Sequence, residues 1–310
     1  MSHNTHTPKP PLRLFLTGFF MGTADLIPGV SGGTVAFVSG IYEELLESIK
    51  TVSGTTLKHI IKLQFKEAFQ SVPFRFLIPL MAGLGFAILS LANLLGHLLE
   101  TYPSFVWSFF FGLVIASTWL VGKTVTKWGF ADILSFVLTT IFAFFLVGAI
   151  PVETPTNLLT FFLSGMVAIC AMILPGISGS FILLILGKYT QVLDAVRSMD
   201  VVVLAVFASG CALGLALFSR FLTWLFAHHH NISVAALAGF MLGSVRKLWP
   251  WQEITLTRVN SHGDVVPLAT RNVFPAELSG ETMAIIALMI IGFGLMVFLQ
   301  SKASGKDEVK

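Results

Sequence analysis

Apolar residues gather in ten stretches, at 12–27, 29–49, 76–98, 104–122, 131–150, 158–174, 176–193, 201–227, 232–245 and 282–300, with most polar residues in the gaps. A helix that crosses a membrane needs about 20 apolar residues. The first two stretches of each half are marginal for that length. A Pro-Gly step divides each of these pairs, Pro28-Gly29 in the first half and Pro175-Gly176 in the second. Composition agrees with a membrane-embedded body. The 310 residues are 55% hydrophobic and only 11% charged, and the mean hydropathy is +0.84. A soluble domain is closer to about 25% charged.

The surroundings of the two Pro-Gly steps repeat. With Pro28 set on Pro175, an offset of 147, Leu16, Gly18, Ala24, Ser31, Gly32, Gly40, Tyr42 and Leu46 meet identical residues at Leu163, Gly165, Ala171, Ser178, Gly179, Gly187, Tyr189 and Leu193. Further on the offset falls to 127, where Gly83 meets Gly210 and Gly112 meets Gly239. The polar stretch Lys50 to Gln70 is the insertion that accounts for the change.

The orientation of the copies depends on the Pro-Gly step. If each divided pair is one broken spanning helix, the copies are parallel. If each pair is a hairpin that enters and leaves on one side, each copy crosses three times and the copies are inverted. Basic residues mark the cytoplasmic side of membrane proteins. The hairpin arrangement puts 12 Lys and Arg inside and 6 outside, with Arg220 within a segment. The broken helix puts the 50–75 loop, with five basic residues, opposite the basic N-terminus.

The sequence therefore predicts an all-α polytopic membrane protein of two inverted repeats, each a re-entrant helix hairpin plus three transmembrane helices. Repeat 1 covers 12–150, with its hairpin at 12–49 and its spanning helices within 76–150. Repeat 2 covers 158–300, with its hairpin at 158–193 and its spanning helices within 201–300. A cytoplasmic segment, 1–11, precedes them and a cytoplasmic tail, 301–310, follows. Two short full spans per pair would give the same sidedness, so charge leaves that alternative open. The outer loop, 246–281, has β-branched runs around Ser261-His262-Gly263-Asp264 and is expected to form a small β-hairpin.

Charge excludes a nucleic-acid partner, since the net +3 is small and spread over several loops. Cys170 and Cys211 lie in apolar stretches and read as small buried hydrophobes. No small-residue cleavage site follows a short apolar core near the N-terminus, so no removable signal peptide is expected.

The doubled Pro-Gly-x-Ser-Gly is the strongest chemical signal. Glycine allows the turn of a re-entrant tip, and proline ends the incoming helix. Ser31 and Ser178 are suitable N-caps for the outgoing helices. An outgoing helix points free N–H groups and its positive dipole end into the membrane interior, which suits an anion. Candidate anion-binding residues are Gly29, Val30, Ser31, Gly32, Gly33 and Thr34 at the first tip, with Gly176, Ile177, Ser178, Gly179 and Ser180 at the second. The alternative is that these small residues only let helices pack closely.

Arg220 is a candidate counter-charge, because an intramembrane arginine is costly, or it snorkels to the interface. Asp25 is a candidate proton carrier or a local cap for the tip; its repeat partner is Met172. Glu43, Glu44 and Glu47 follow the first hairpin. Glu43 is the second candidate for proton coupling, although such clusters more often mark the solvated end of a helix. His228, His229 and His230 read as an interface turn, not a metal site.

Gly22-Thr23-Ala24-Asp25-Leu26-Ile27-Pro28-Gly29-Val30-Ser31-Gly32-Gly33-Thr34, followed by Gly40-Ile41-Tyr42-Glu43, resembles the signature of a bacterial membrane family, the undecaprenyl phosphate translocases or polyprenyl-phosphate transporters. The second motif, Ile173 to Ser180 with Leu186-Gly187-Lys188-Tyr189, fits the same family. The resemblance implies a transporter in the bacterial cytoplasmic membrane with both termini inside. It would return undecaprenyl phosphate, the lipid carrier of cell-wall precursors, from the outer to the inner leaflet. Its partners would be that lipid or a related polyprenyl phosphate and the bilayer. No cofactor or metal is implied, and protons or sodium ions are candidate coupling ions. Many relatives are expected to have asparagine at the position of Asp25, which argues against a strict proton role there.

The rival reading is an enzyme, a membrane-embedded polyprenyl pyrophosphate phosphatase. Those proteins carry Pro-Gly-x-Ser-Arg-Ser-Gly, whereas Gly32 and Gly179 follow the serines here. No arginine stands where cleavage of a pyrophosphate would need charge stabilisation. A small-solute carrier fits the architecture but lacks a polar lining. The oligomeric state is not legible.

Overall fold

The computed structural model describes residues 9–27, 30–152, 154–259, 265–275 and 277–304. The first copy opens with α1 (Pro11–Asp25), α2 (Gly32–Val38) and α3 (Tyr42–Thr51). Their counterparts in the second copy are α9 (Leu158–Ile173), α10 (Gly179–Ile185) and α11 (Tyr189–Arg197). Pro11 sits in the first turn of α1, where a missing N–H costs nothing. The stretches 29–49 and 176–193 are thus two helices each, broken a second time at a glycine corner. Gly40 (φ 68°) and Gly187 (φ 65°) adopt the left-handed conformation that such a corner requires. The bend between α10 and α11 is 107°. Seven-residue α2 and α10 rise only about 10 Å, against about 30 Å for a hydrocarbon core, so neither can cross alone.

The insertion Lys50 to Gln70 forms a π-helical turn (Val52–Thr56), α4 (Leu57–Ile61) and most of α5 (Phe65–Ser71). Long helices complete the first copy, α6 (Phe74–Thr101), α7 (Pro103–Lys123) and α8 (Phe130–Leu146). The second copy continues with α12 (Val201–His228) and α13 (His230–Ser244). A 3₁₀ turn (Val245–Leu248) follows, then β1 (Gln252–Val259), β2 (Val265–Asn272) and α14 (Gly280–Ser304). Among the described residues α6, α7, α12 and α14 are long and apolar enough to cross a membrane, and α8 and α9 are apolar but shorter. The protein is a multi-pass, mostly helical membrane protein. The expected β-hairpin is present: β1 and β2 pair antiparallel from Gln252↔Asn272 to Val259↔Val265. Its turn, 260–264, lies outside the described residues, as do Pro28, Gly29, the first eight residues and the last six.

Backbone-to-backbone packing through glycine sets the helix directions. Gly18 lies against the Leu80 backbone and Gly22 against Leu84 and Ala87, so α1 and α6 run side by side in one direction. Phe162 meets Gly210 and Met166 meets Gly214, so α9 and α12 do the same. In each case the second helix starts at the end where the first one starts. The chain between them, 26–73 or 174–200, therefore leads back to the end at which the first helix began. Long helices also pack across the copies. Phe136 meets Gly239 and Thr140 meets Gly243, which aligns α8 with α13, and α7 packs on α14.

A side chain at these contacts would force the helices apart. A Cβ on Gly22 would lie 2.6 Å from the Leu84 carbonyl oxygen, and one on Gly214 2.6 Å from that of Met166. Gly22→Leu and Gly214→Leu are expected to destabilise by more than about 3 kcal/mol, the upper end of ordinary substitutions. Thermal unfolding in detergent reads this. Gly85→Leu and Gly96→Leu, where a Cβ meets nothing within 4 Å, should keep the wild-type midpoint.

Candidate functional site

The two tips meet. Ser31 Oγ donates to the carbonyl of Leu174 at 3.2 Å, and Tyr42 Oη donates to that of Ile173 at 3.3 Å. A Cβ on Gly33 would stand 2.7 Å from the Ile173 oxygen, so only glycine allows this approach. Leu174 immediately precedes the second Pro-Gly step. The surrounding core is apolar and tightly buried, with Ile27, Val30, Ile41, Tyr42 and Leu46 from the first hairpin.

The first tip satisfies itself. Ser31 caps α2 as expected, its Oγ accepting from Gly33 N–H at 3.1 Å. Thr34 N–H donates to the Ser31 carbonyl at 2.9 Å. Asp25 supplies the remaining partner, Oδ1 accepting from Gly32 N–H at 2.7 Å. The carboxylate thus stands where the sequence places a bound anion, so the geometry is that of the local cap. A carboxylate at a helix N-terminus is favoured by the free N–H groups and the dipole. Val30 is buried within this tip, and Gly29 lies outside the described residues. One polar atom is left over. Thr34 Oγ1 is buried without a hydrogen-bond partner, and Thr34 is 1% exposed. A buried hydroxyl in that condition costs about 1–3 kcal/mol.

The second tip is more open. Ser178 is half-buried and makes no cap bond, and Ser180 is exposed; the two hydroxyls share a 2.6 Å hydrogen bond. Gly176 and Ile177 are buried, with Gly176 packed on Met241 and Ser244 of α13. Gly179 packs on Ala168 of α9. Met172 stands at the offset of Asp25, and no carboxylate caps α10.

The remaining candidates lie elsewhere. Arg220 is exposed, with its guanidinium beside Gly54 in the π-helical turn, so it is placed with the 52–56 segment and not against either tip. Glu43 pairs with His230 at 3.4 Å, Glu44 with Lys9 at 3.2 Å and Glu47 with Lys50 at 3.0 Å. The histidine run is the turn between α12 and α13, and among the described residues no group of side chains could hold a metal. Sequence reasoning missed Lys188. It is fully buried at the α10–α11 corner, where Nζ donates to the Pro155 carbonyl and to Gln191 Oε1, both at 2.7 Å. Its signal was a break in the repeat, because Ile41 occupies the matching corner of the first copy.

Relatives give this geometry its context. The chain is 40% identical over 298 residues to the polyprenyl-phosphate transporter of Vibrio cholerae serotype O1, covering 94% of this chain and 97% of that protein. It is 31% identical over 253 residues to the polyprenyl-phosphate transporter of Staphylococcus aureus, covering 76% of this chain and 85% of that protein. No solved structure matches it. The undecaprenyl phosphate translocase-like family matches residues 21–266, both tips and most of the chain between and beyond them. This chain belongs to that family.

Proposed function

We propose that the protein is a flippase that returns undecaprenyl phosphate from the outer to the inner leaflet of the bacterial cytoplasmic membrane, for reuse in cell-envelope synthesis. The observation that carries this reading is the contact between the two broken-helix tips inside an apolar body. Broken helices that meet in the membrane interior are where transporters hold substrate. The small polar cluster where the tips meet suits a phosphate, and an apolar exterior suits a tail that stays in the bilayer. The relatives named polyprenyl-phosphate transporters support the substrate class. Hydrolysis is disfavoured by the glycines after Ser31 and Ser178 and by those same relatives.

In this reading the two copies, 12–150 and 158–300, are inverted repeats with re-entrant hairpins and cytoplasmic termini. The shared direction of α1 with α6 and of α9 with α12 supports hairpins over broken spans. The phosphate is received at Ser178, Gly179 and Ser180, then takes the Gly32 N–H as the Asp25 carboxylate gives way. Thr34 Oγ1 supplies a further donor. Arg220 and Glu43 act at the cytoplasmic end, Arg220 beside Gly54 and Glu43 paired with His230.

Topology is tested on a background with Cys170 and Cys211 replaced. Cysteine at Lys62 should be protected from an impermeant thiol reagent in intact cells, and cysteine at Glu253 should react. The reverse pattern would sink the inverted arrangement. Cells lacking the protein should expose more undecaprenyl phosphate at the surface than cells containing it; equal exposure would overturn the transport reading.

Charge-assisted hydrogen bonds contribute about 1.5–3 kcal/mol each. Ser178→Ala should therefore weaken prenyl-phosphate binding by roughly tenfold to a hundredfold, measured with purified protein in detergent. Ser31→Ala also loses a cap, costing about 1 kcal/mol of stability, so its binding must be compared at equal folded fraction. Asp25→Asn keeps an acceptor for Gly32 N–H but cannot take up a proton. Transport by Asp25→Asn should lose its dependence on pH between about 6 and 8. An unchanged profile would remove Asp25 from the coupling step.

A further inference from the structure

A second polar region lies along α10, beside the end of α13 that packs on the second tip. The turn that ends α13 carries Arg246 and Lys247 side by side, both half-buried. Arg246 Nη1 donates to the Phe144 carbonyl at 3.0 Å, and the guanidinium lies 4.5 Å over the Phe144 ring. It rests flat on Gly148, where a Cβ would overlap it. Lys247 Nζ stands 5.5 Å over the ring of Phe181 in α10. The β-hairpin fixes this turn from outside. Asn272 Nδ2 donates to the Arg246 carbonyl at 2.8 Å, and Gln252 Nε2 donates to that of Lys247 at 3.0 Å.

These groups enclose a cavity of about 90 Å³ between α10, the end of α8 and the β-hairpin. Among the described residues no carboxylate lines it, and neither cation has an acidic partner. Lys247 lies in the turn, outside the spanning helices, and burial pushes its ammonium pKa down. An anion in the cavity would offset that penalty. The volume is roughly that of three liquid waters, enough for a headgroup and too little for a tail. Beside it, Phe145, Ile150 and Val152 are all more than half exposed. A small anionic site opening onto an exposed apolar surface fits an amphiphile with a phosphate head.

We propose that the Arg246–Lys247 cavity is a docking site for the phosphate of a prenyl phosphate lipid, occupied before the headgroup reaches the second tip. The inference rests on the transport reading above. The path is short, because α10 runs only from Gly179 to Ile185, about 9 Å along its axis, and the cavity lining begins at Phe181. Among the described residues the first copy offers no matching pair of cations. At the offset of 127 the first copy has Trp119 and Leu120 in place of Arg246 and Lys247. Capture of the headgroup is therefore built for the side that carries the β-hairpin.

The test is binding of geranylgeranyl phosphate by the full chain in phosphatidylcholine nanodiscs, with geranylgeraniol and inorganic phosphate as comparison ligands. Lys247→Gln should weaken geranylgeranyl phosphate binding by about tenfold or more, and Lys247→Arg should stay close to wild type. Gly148→Ala keeps both charges but displaces the guanidinium, and should weaken binding as well. Thermal midpoints confirm that each variant is folded. Wild-type affinity in both Lys247→Gln and Gly148→Ala overturns the docking site and leaves the transport reading standing. Wild-type protein that binds geranylgeranyl phosphate no better than geranylgeraniol overturns both. Inorganic phosphate binding as tightly as geranylgeranyl phosphate overturns a lipid site in favour of one for free phosphate.

Discussion

Each Pro-Gly step leaves backbone N–H and C=O groups without helical partners inside an apolar body. In hydrocarbon an unsatisfied group costs several kcal/mol, so the breaks persist only if each finds partners within the protein. Those partners hold the molecule together. The last carbonyls of α9, Ile173 and Leu174, receive hydroxyls from Tyr42 and Ser31 of the other copy. The first N–H groups of α2 are taken by Asp25 and Ser31. The first break thus solves its own problem and part of the second's. The reverse does not hold, because α10 begins with serines that bond only to each other and with no carboxylate. A sequence repeat produces a centre that is asymmetric in its free hydrogen-bonding capacity.

Close glycine packing is what makes that centre reproducible. Helices in lipid gain little from hiding apolar surface from one another, so their association depends on contact distance and hydrogen bonds. Gly18 and Gly22 on α1, with Gly83 on α6, let those two backbones touch, and Gly165, Gly210 and Gly214 do the same for α9 and α12. α1 and α9, which lead into the tips, are thereby clamped to long helices. Packing of α7 on α14 and of α8 on α13 then ties one copy to the other. The tips meet because the frame leaves them no other position.

Much of this was legible in the sequence. Apolar stretches long enough to span, such as 76–98 and 201–227, became α6 and α12 with ends shifted by a few residues, since length and hydropathy dominate in a membrane. The repeat located both breaks, and Ser31 as a cap followed from residue type. The additional corners at Gly40 and Gly187 were harder to see, because an apolar run continues through them and only backbone conformation marks the bend. The cap role of Asp25 could be listed but not chosen, as it depends on a seven-residue loop closing to 2.7 Å. Arg220 is a case in which the sequence left two readings open and only tertiary structure separates them. Its apolar neighbours suggested depth, yet the side chain is long enough to reach the 52–56 segment, which only tertiary structure brings near. The Arg246–Lys247 pair looked like ordinary loop charge until the β-hairpin folded over it.

The asymmetry between the tips bears on how a phosphate could pass. Asp25 already occupies the Gly32 N–H that a phosphate oxygen would need. Two like charges cannot share that site without a large penalty, so arrival of a phosphate requires Asp25 to move away or to accept a proton. Either route makes the substrate displace an internal ligand from the same N–H. Competition of this kind limits affinity, which suits a carrier, since a headgroup held too tightly at the first tip would not be released. Asparagine at this position would still cap the tip but would present no opposing charge. In the proposed transport reading, the side chain at position 25 would decide whether headgroup binding and proton uptake are one event or two.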